Sequence, residues 1–397
     1  MNKKQPLLYL VHRLPYPPNK GDKIRSFHLL KHLSKQYDIY LATFIDDKND
    51  WQYVDIVKEY CRDVCVLSLN PTFAKVRALP ALLTGQALTI PYYADSKMRQ
   101  WVDETIAKHN ITQAVAYSSS MAQYLEKHQQ VSRYIDFVDV DSDKWRQYAE
   151  SMKGISRWVY QREHRFLETY ERKIVGEFDY SFLVSEKEAA LLQKISSDNG
   201  AKVGYFNNGV DLEFFDPNRE YDNPLPADKV NIVFTGAMDY WANVDAVKWF
   251  CEKALPIIKQ RYANAHFTIV GSNPTKDVLA LASDDVSVTG RVPDVRSYIV
   301  HADLAVAPMQ IARGIQNKVL EALALNKTVV VTSAAYEGLV ETEALDQLCY
   351  NEPDAFAQCC LEQLEKKTSG DWREYVTRFY SWDSCLSRVD EQLVPST

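Results

Sequence analysis

The stretch Leu304-Ala-Val-Ala-Pro308-Met-Gln-Ile-Ala-Arg313-Gly-Ile-Gln-Asn-Lys318-Val-Leu-Glu321-Ala-Leu-Ala-Leu325 decides how the chain reads. An apolar run of strand type, Leu304–Ala307, meets a proline. A loop follows, and a helix is expected from near Gly314. Lys318 and Glu321 stand three apart, so they share one helix face about one turn from its start. A helix N-terminus attracts anions through its free N–H groups and its dipole, and Arg313 and Lys318 add positive charge there. Glu321 can accept hydrogen bonds from a ribose diol, as acidic residues do in dinucleotide folds. Phosphate donors beside a sugar acceptor point to a nucleotide site. The competing reading is a helix that merely opens on exposed charges.

Outward from this stretch, strand and helix patterns alternate. Leu7–Val11 is of strand length; a Pro-rich loop to Gly21, a helix over Asp22–Leu33 and a strand at Ile39–Phe44 follow. Further strands are expected at Val64–Leu69, Gln113–Tyr117, Arg133–Val138, Tyr180–Val184 and Lys202–Phe206, with a long charged helical stretch from Asp143 to Lys173. A second alternation begins after a polar loop carrying Pro217, Pro224 and Pro226. Its strands are Asn231–Thr235, His266–Val270, Val286–Val288, Leu304–Ala307 and Thr328–Thr332; its helices include Val244–Gln260 and Gly314–Leu325. Repeated β–α–β units build parallel sheets, so the expected class is α/β, two doubly wound domains with a boundary near residues 207–222 and ligands at the strand carboxyl ends. A chain of 397 residues suits two such domains.

Composition narrows the function. The net charge of −7 argues against a nucleic-acid partner. The 24 Tyr and 8 Trp suit sugar-facing or interfacial surfaces. Seven scattered cysteines offer no zinc-ligand spacing, and free thiols in a reducing cytosol are the expectation. No apolar segment approaches the ~18 residues of a membrane span, so the protein is expected to be cytoplasmic and soluble, or at most peripheral on the inner face of the cell membrane. Two basic, apolar stretches, Lys75–Leu83 and Arg157–Phe166, have two readings: contact with an anionic membrane surface, or packing on their own domain.

Four loops after strands are candidates for chemistry. In the first, Gly21, Asp22 and Lys23 open a helix where backbone can approach a ligand. The second, Val138-Asp139-Val-Asp141-Ser-Asp143, places three acids after a strand; it lacks the Gly and Glu of a calcium loop, so Asp139 and Asp141 read as substrate-orienting acids or Asp141 and Asp143 as helix N-caps. The third contains Gly236, with Asn243 as a plausible N-cap, and the fourth contains Arg291, with Asp294 as a cap.

These segments together resemble a known family. Asn208-Gly-Val-Asp211-Leu-Glu-Phe-Phe215-Asp-Pro217, Phe234-Thr-Gly236, Ile269-Val-Gly271, Val288-Thr-Gly290 and Asn317-Lys-Val-Leu-Glu321 follow the order of GT-B glycosyltransferases of family 4. Phe137–Tyr148 and Gly314–Glu321 are similar, more narrowly, to the sugar transferases of PEP-CTERM/exosortase-associated exopolysaccharide systems. The resemblance implies a GT-B fold: two Rossmann-like domains facing a cleft, residues 1–207 on the acceptor side and 208–375 binding the donor. Residues 376–397 would then be a helix crossing back to the first domain. It also implies retaining, metal-independent transfer of a sugar from a nucleotide-diphosphate sugar, with no cofactor, to a glycan or lipid-linked acceptor. Glu321 matches the second acid of the family's E-x7-E motif; where the first should stand this chain has Arg313, read as serving the diphosphate with Lys318. Gly236, Arg291, Gly314, Asn317, Lys318 and Glu321 are the implied donor residues, and Asp139, Asp141, Arg313 and Lys318 the catalytic candidates. The alternatives kept open are a catalytically silent nucleotide-sugar binding protein and a GT-B-type nucleotide-sugar epimerase.

Overall fold

The computed structural model describes residues 4–18, 20–196, 199–312, 314–366 and 370–393. The chain divides into two compact units, Met1–Asn208 with Cys385–Thr397, and Gly209–Ser384. Each has its own apolar core.

The first unit holds a seven-stranded sheet in the order β3-β2-β1-β4-β5-β6-β7. The strands are β1 (Gln5–Val11), β2 (Tyr37–Ile45), β3 (Asp63–Ser68), β4 (Gln113–Tyr117), β5 (Ser132–Val138), β6 (Tyr180–Leu183) and β7 (Val203–Tyr205), all paired in parallel. The central strands are buried along nearly their whole length because helices cover both faces, which is why they read as apolar runs without alternation. A buried ion pair locks this unit: Arg25 bonds Asp136 on β5 at 2.7 and 3.1 Å, donates to the carbonyls of Leu183 and Phe206, and lies 3.5 Å over the Phe206 ring. With a fifth bond to Asn208 Oδ1 at 3.1 Å, every donor of the guanidinium end is engaged with protein, the condition under which a buried charge is tolerated.

The second unit holds a five-stranded parallel sheet in the order β10-β9-β8-β11-β12: β8 (Val230–Thr235), β9 (Ala265–Val270), β10 (Val286–Val288), β11 (Leu304–Ala307) and β12 (Val329–Val331). After β8 the chain builds outward through β9 and β10, then returns to the other side of β8 with β11. Strand order therefore reverses at the β8/β11 pair, where α/β sheets open a crevice at their carboxyl ends.

Three element expectations need correction. The stretch from Asp143 to Lys173 is two helices, Asp141–Ser151 and Gly154–Glu177, because Gly154 takes a left-handed φ of +62° between them. The helix expected from Gly314 starts at Asn317; Gly314, at φ +65°, belongs to the loop before it. The return to the first unit begins at Cys385 rather than at 376, since Tyr375, Val376 and Tyr380 bury their side chains in the second unit's core. Beyond that point, His32 bonds Asp390 at 2.9 Å and the Tyr37 hydroxyl donates to the Leu393 carbonyl within the first unit. All seven cysteines are free thiols. No helix is long and apolar enough to cross a membrane, among the described residues.

Candidate functional site

At the carboxyl edge of the second sheet, four strand-end loops close around a cavity of about 700 Å³, lined among others by Gly236, Gly271, Arg291, Asn317, Lys318 and Glu321. The loops are tied side by side through backbone: Gly236 N–H donates to Val270 O, Met238 N–H to Ser272 O and Gly271 N–H to Gly290 O. Two glycines make this approach feasible. A Cβ on Gly271 would lie 1.6 Å from the Gly236 carbonyl oxygen, and one on Gly236 would lie 2.7 Å from the Asn243 amide nitrogen. Backbone stands where side chains would otherwise fill the crevice.

The Asn317–Ala324 helix supplies the charges. Gln316 precedes it without a side-chain cap; Val319 N–H donates back to Gln316 O at 2.9 Å, and the N–H groups of Asn317 and Lys318 are left uncapped. Lys318 sits in the first turn and reaches across the loop after β8, donating to Asn243 Oδ1 at 2.9 Å and Gln316 Oε1 at 3.3 Å, with its ammonium 5.2 Å above the Phe234 ring. Burial pushes its pKa down to about 8, opposed by Glu321. Glu321, one turn on, is pushed up to about 7 by burial, with Lys318 opposing. Its carboxylate accepts no hydrogen bond among the described residues. Arg291 is exposed at the rim and likewise holds no ion pair or hydrogen bond among them. The pocket therefore brings together two cations and one carboxylate, none of them in an ion pair among the described residues although Lys318 is held by neutral acceptors, with uncapped N–H groups alongside. Such a set suits an anion next to a hydroxyl-bearing group.

Of the donor candidates, Gly236, Arg291, Asn317, Lys318 and Glu321 line this cavity, while Gly314 lies in the loop leading to it. Arg313 falls outside the described residues. Asn243 is no N-cap: Tyr240 occupies that position, and Asn243 is buried inside the helix, where its amide donates to Ala237 O and its carbonyl oxygen holds Lys318. That role, and the need for Gly271, escaped the sequence reading, since both follow from the approach of segments far apart in the chain. The position of Gly271 directly after a strand was the available signal. Asp294 does cap, accepting from Arg296 N–H at 2.9 Å.

In the first unit, Asp139 and Asp141 follow β5 and both pair with Lys144, at 2.7 and 3.3 Å. Neither Asp141 nor Asp143 caps the helix beginning at Asp141: Val140 precedes it uncapped, and Asp143 bonds Arg146 and Gln147. Burial raises Asp141 above the usual carboxylate range, Lys144 opposing. The preceding Val138 has φ +70°, a strained setting for a β-branched residue, and Ser118 after β4 has φ +77°. Two adjacent strand ends thus hold distorted backbone, the kind of cost that accumulates at functional positions.

The loop carrying Gly21, Asp22 and Lys23 differs from expectation. Lys23 is buried in an ion pair with Asp50 at 2.6 Å, so it is not available to a ligand. Asp22 is held by Arg13 at 2.8 Å and His12 at 3.7 Å; against the effect of burial, these partners draw it well below the usual carboxylate range. Gly21 starts its helix with open space where a Cβ would stand. Among the described residues no group of three or more His, Cys, Asp or Glu side chains is placed to hold a metal ion.

Comparison with known proteins bears on both units. Residues 229–366 match the family model of glycosyl transferases group 1. A search of curated protein sequences found no match. Among solved structures, the chain is similar to Anabaena HepE in complex with UDP, with a TM-score of 0.61 at 12% identity over 98% of this chain and 99% of that one. It is also similar to a glycosyltransferase from Rickettsia africae (TM-score 0.61, 16% identity, 99% and 100% covered), and to TarM (TM-score 0.60, 10% identity, 98% and 99% covered).

The chain has the GT-B fold. Its second unit carries the matched glycosyl transferases group 1 region, and fold and match together support a glycosyltransferase.

Proposed function

We propose that this GT-B protein transfers a sugar from a nucleotide-diphosphate sugar, bound in the second unit, to a glycan or lipid-linked acceptor held by the first. Transfer would be retaining and metal-independent, as in the family 4 enzymes of polysaccharide synthesis that its motifs resemble. The observation that carries this reading is the placement of Lys318 and Glu321 three residues apart on one helix lining a loop-bounded cavity, with neither in an ion pair among the described residues. Glu321 would accept from the ribose hydroxyls. Lys318, Arg291 and the uncapped N–H groups would hold the diphosphate and stabilise the charge that develops on it as the sugar departs. Arg313 would add to this set. Asp139, steadied by Lys144 at a strained strand end, is our candidate for the acid nearest the reacting sugar.

HepE structures contain UDP and UDP-glucose, which makes uridine nucleotides the first to try. A thermal-shift and hydrolysis screen over UDP-, GDP-, ADP- and dTDP-sugars should show stabilisation by one nucleotide, and Glu321→Ala or Lys318→Ala should abolish it. If both variants bind as tightly as the parent, the site is misplaced. The Arg313 departure from E-x7-E favours a second reading, a silent nucleotide-sugar binding protein. Stabilisation with no release of nucleotide diphosphate on any acceptor would select it. An epimerase is disfavoured because, among the described residues lining the cavity, Glu321 is the sole acid and no His occurs.

A further inference from the structure

The first unit bears an apolar surface that its own packing does not cover. The helix Pro71–Ala78 and the short helix Ala81–Thr84 expose Phe73 (74%), Val76, Leu79 and Leu83 (92%), and the start of the Gly154–Glu177 helix exposes Ile155 (83%) and Trp158 (56%). Isolated exposed apolar side chains are ordinary, but a cluster of large ones marks an interaction surface.

These residues form one neighbourhood. Ile155, Trp158 and Arg162 follow at helical spacing along one face of their helix. Arg162 donates to the carbonyls of Ala81 and Gln86, which bracket Leu83, and the Glu163 carboxylate accepts from Leu88 and Thr89 N–H. The segment carrying Leu83 is thereby fastened to the helix turn next to Trp158. Arg77, donating to the carbonyls of Pro91 and Tyr92, secures the Pro71–Ala78 helix to the same region. Arg162 is consequently withdrawn from the surface, contrary to its expected place in a basic face.

The charge around the patch selects the partner. Residues 71–89 and 152–162 contain no Asp or Glu, in a protein of net charge −7. Lys75, Lys153, Arg157 and Arg165 are exposed around the apolar side chains, and none has a carboxylate partner among the described residues. Exposed Phe, Leu, Ile and Trp interspersed along the same segments with Lys and Arg that hold no carboxylate partner is the chemistry of an interfacial element that inserts apolar side chains while cations meet anionic headgroups. The acids Asp95, Asp103 and Glu104 lie to the side of Arg77. With no helix able to span a bilayer among the described residues, contact would be lateral. We propose that this face docks the protein on an anionic membrane surface.

The test is cosedimentation of the full chain with vesicles of roughly one-third phosphatidylglycerol in phosphatidylcholine, against pure phosphatidylcholine. Binding should require the anionic lipid and weaken with salt. The pair Leu83→Asp/Ile155→Asp and the triple Lys75→Glu/Arg157→Glu/Arg165→Glu should each lower partitioning about tenfold or more. Both variants alter exposed side chains and should keep the parent's circular dichroism and its thermal shift with nucleotide, so loss of docking is separable from failure of the donor reading. Absence of binding to anionic vesicles, or equal binding by parent and variants, would overturn the proposal. So would self-association in sedimentation velocity that Leu83→Asp/Ile155→Asp removes without any vesicle binding, which would assign the face to a second copy of the chain.

Discussion

Lys318 and Glu321 make the pocket's energetics dependent on pH in a defined window. Glu321 has its pKa raised to about 7. The stability from its neutral form is complete below the ordinary carboxylate range and is lost as pH rises through about 7. Lys318 has its pKa lowered to about 8. The stability from its neutral form is present above the ordinary lysine range and is lost as pH falls through about 8. Between these values both groups are charged and strained by burial, the state a diphosphate and a ribose diol would relieve. Nucleotide affinity, followed by calorimetric titration across pH, should therefore be greatest between about 7 and 8. Glu321→Gln should remove the acid limb of that profile and Lys318→Met the alkaline limb; limbs unchanged in both variants would exclude these residues from binding. Gly271 sets a separate requirement. A methyl group 1.6 Å from the Gly236 carbonyl cannot be accommodated without displacing backbone, so Gly271→Ala should destabilise by about 1–3 kcal/mol in chemical denaturation and weaken nucleotide binding.

At the scale of elements, local chemistry accounts for most boundaries and for their exceptions. The Asn317–Ala324 helix begins three residues later than its periodicity predicts, because Gly314 takes a left-handed φ and the chain turns before helix geometry sets in. The result places Lys318, rather than Gly314, in the first turn. Gly154 performs the same service between the two helices after β5. An alanine there must enter the left-handed region, so Gly154→Ala should cost about 1 kcal/mol. Gly21 is the contrast: it has a helical position and open space around it, and Gly21→Ala should raise stability by about 0.4–1 kcal/mol. If turnover is unchanged in Gly21→Ala, that glycine has no part in binding an acceptor.

For the whole molecule, two units with separate cores predict two unfolding transitions in scanning calorimetry. Nucleotide should raise the transition of Gly209–Ser384 alone, by about 2.7 kcal/mol at a hundredfold excess over Kd. A shift of both by the same amount would mean that the units unfold as one. The parallel sheets and the helix bearing Lys318 and Glu321 were legible in the sequence, since apolar runs and helical spacing are local signals carried by neighbouring residues. The placement of several side chains was not. Lys23 and Arg162 look like surface cations in the chain but are buried against Asp50 and the Ala81 and Gln86 carbonyls. Asn243 looks like a cap but holds Lys318, and Phe73, Leu83, Ile155 and Trp158 look like core but face solvent. Periodicity says which face of an element is apolar or charged. Only packing between distant segments decides which faces find a partner, and with it whether a charge is paired, a glycine is required or an apolar side chain is left exposed.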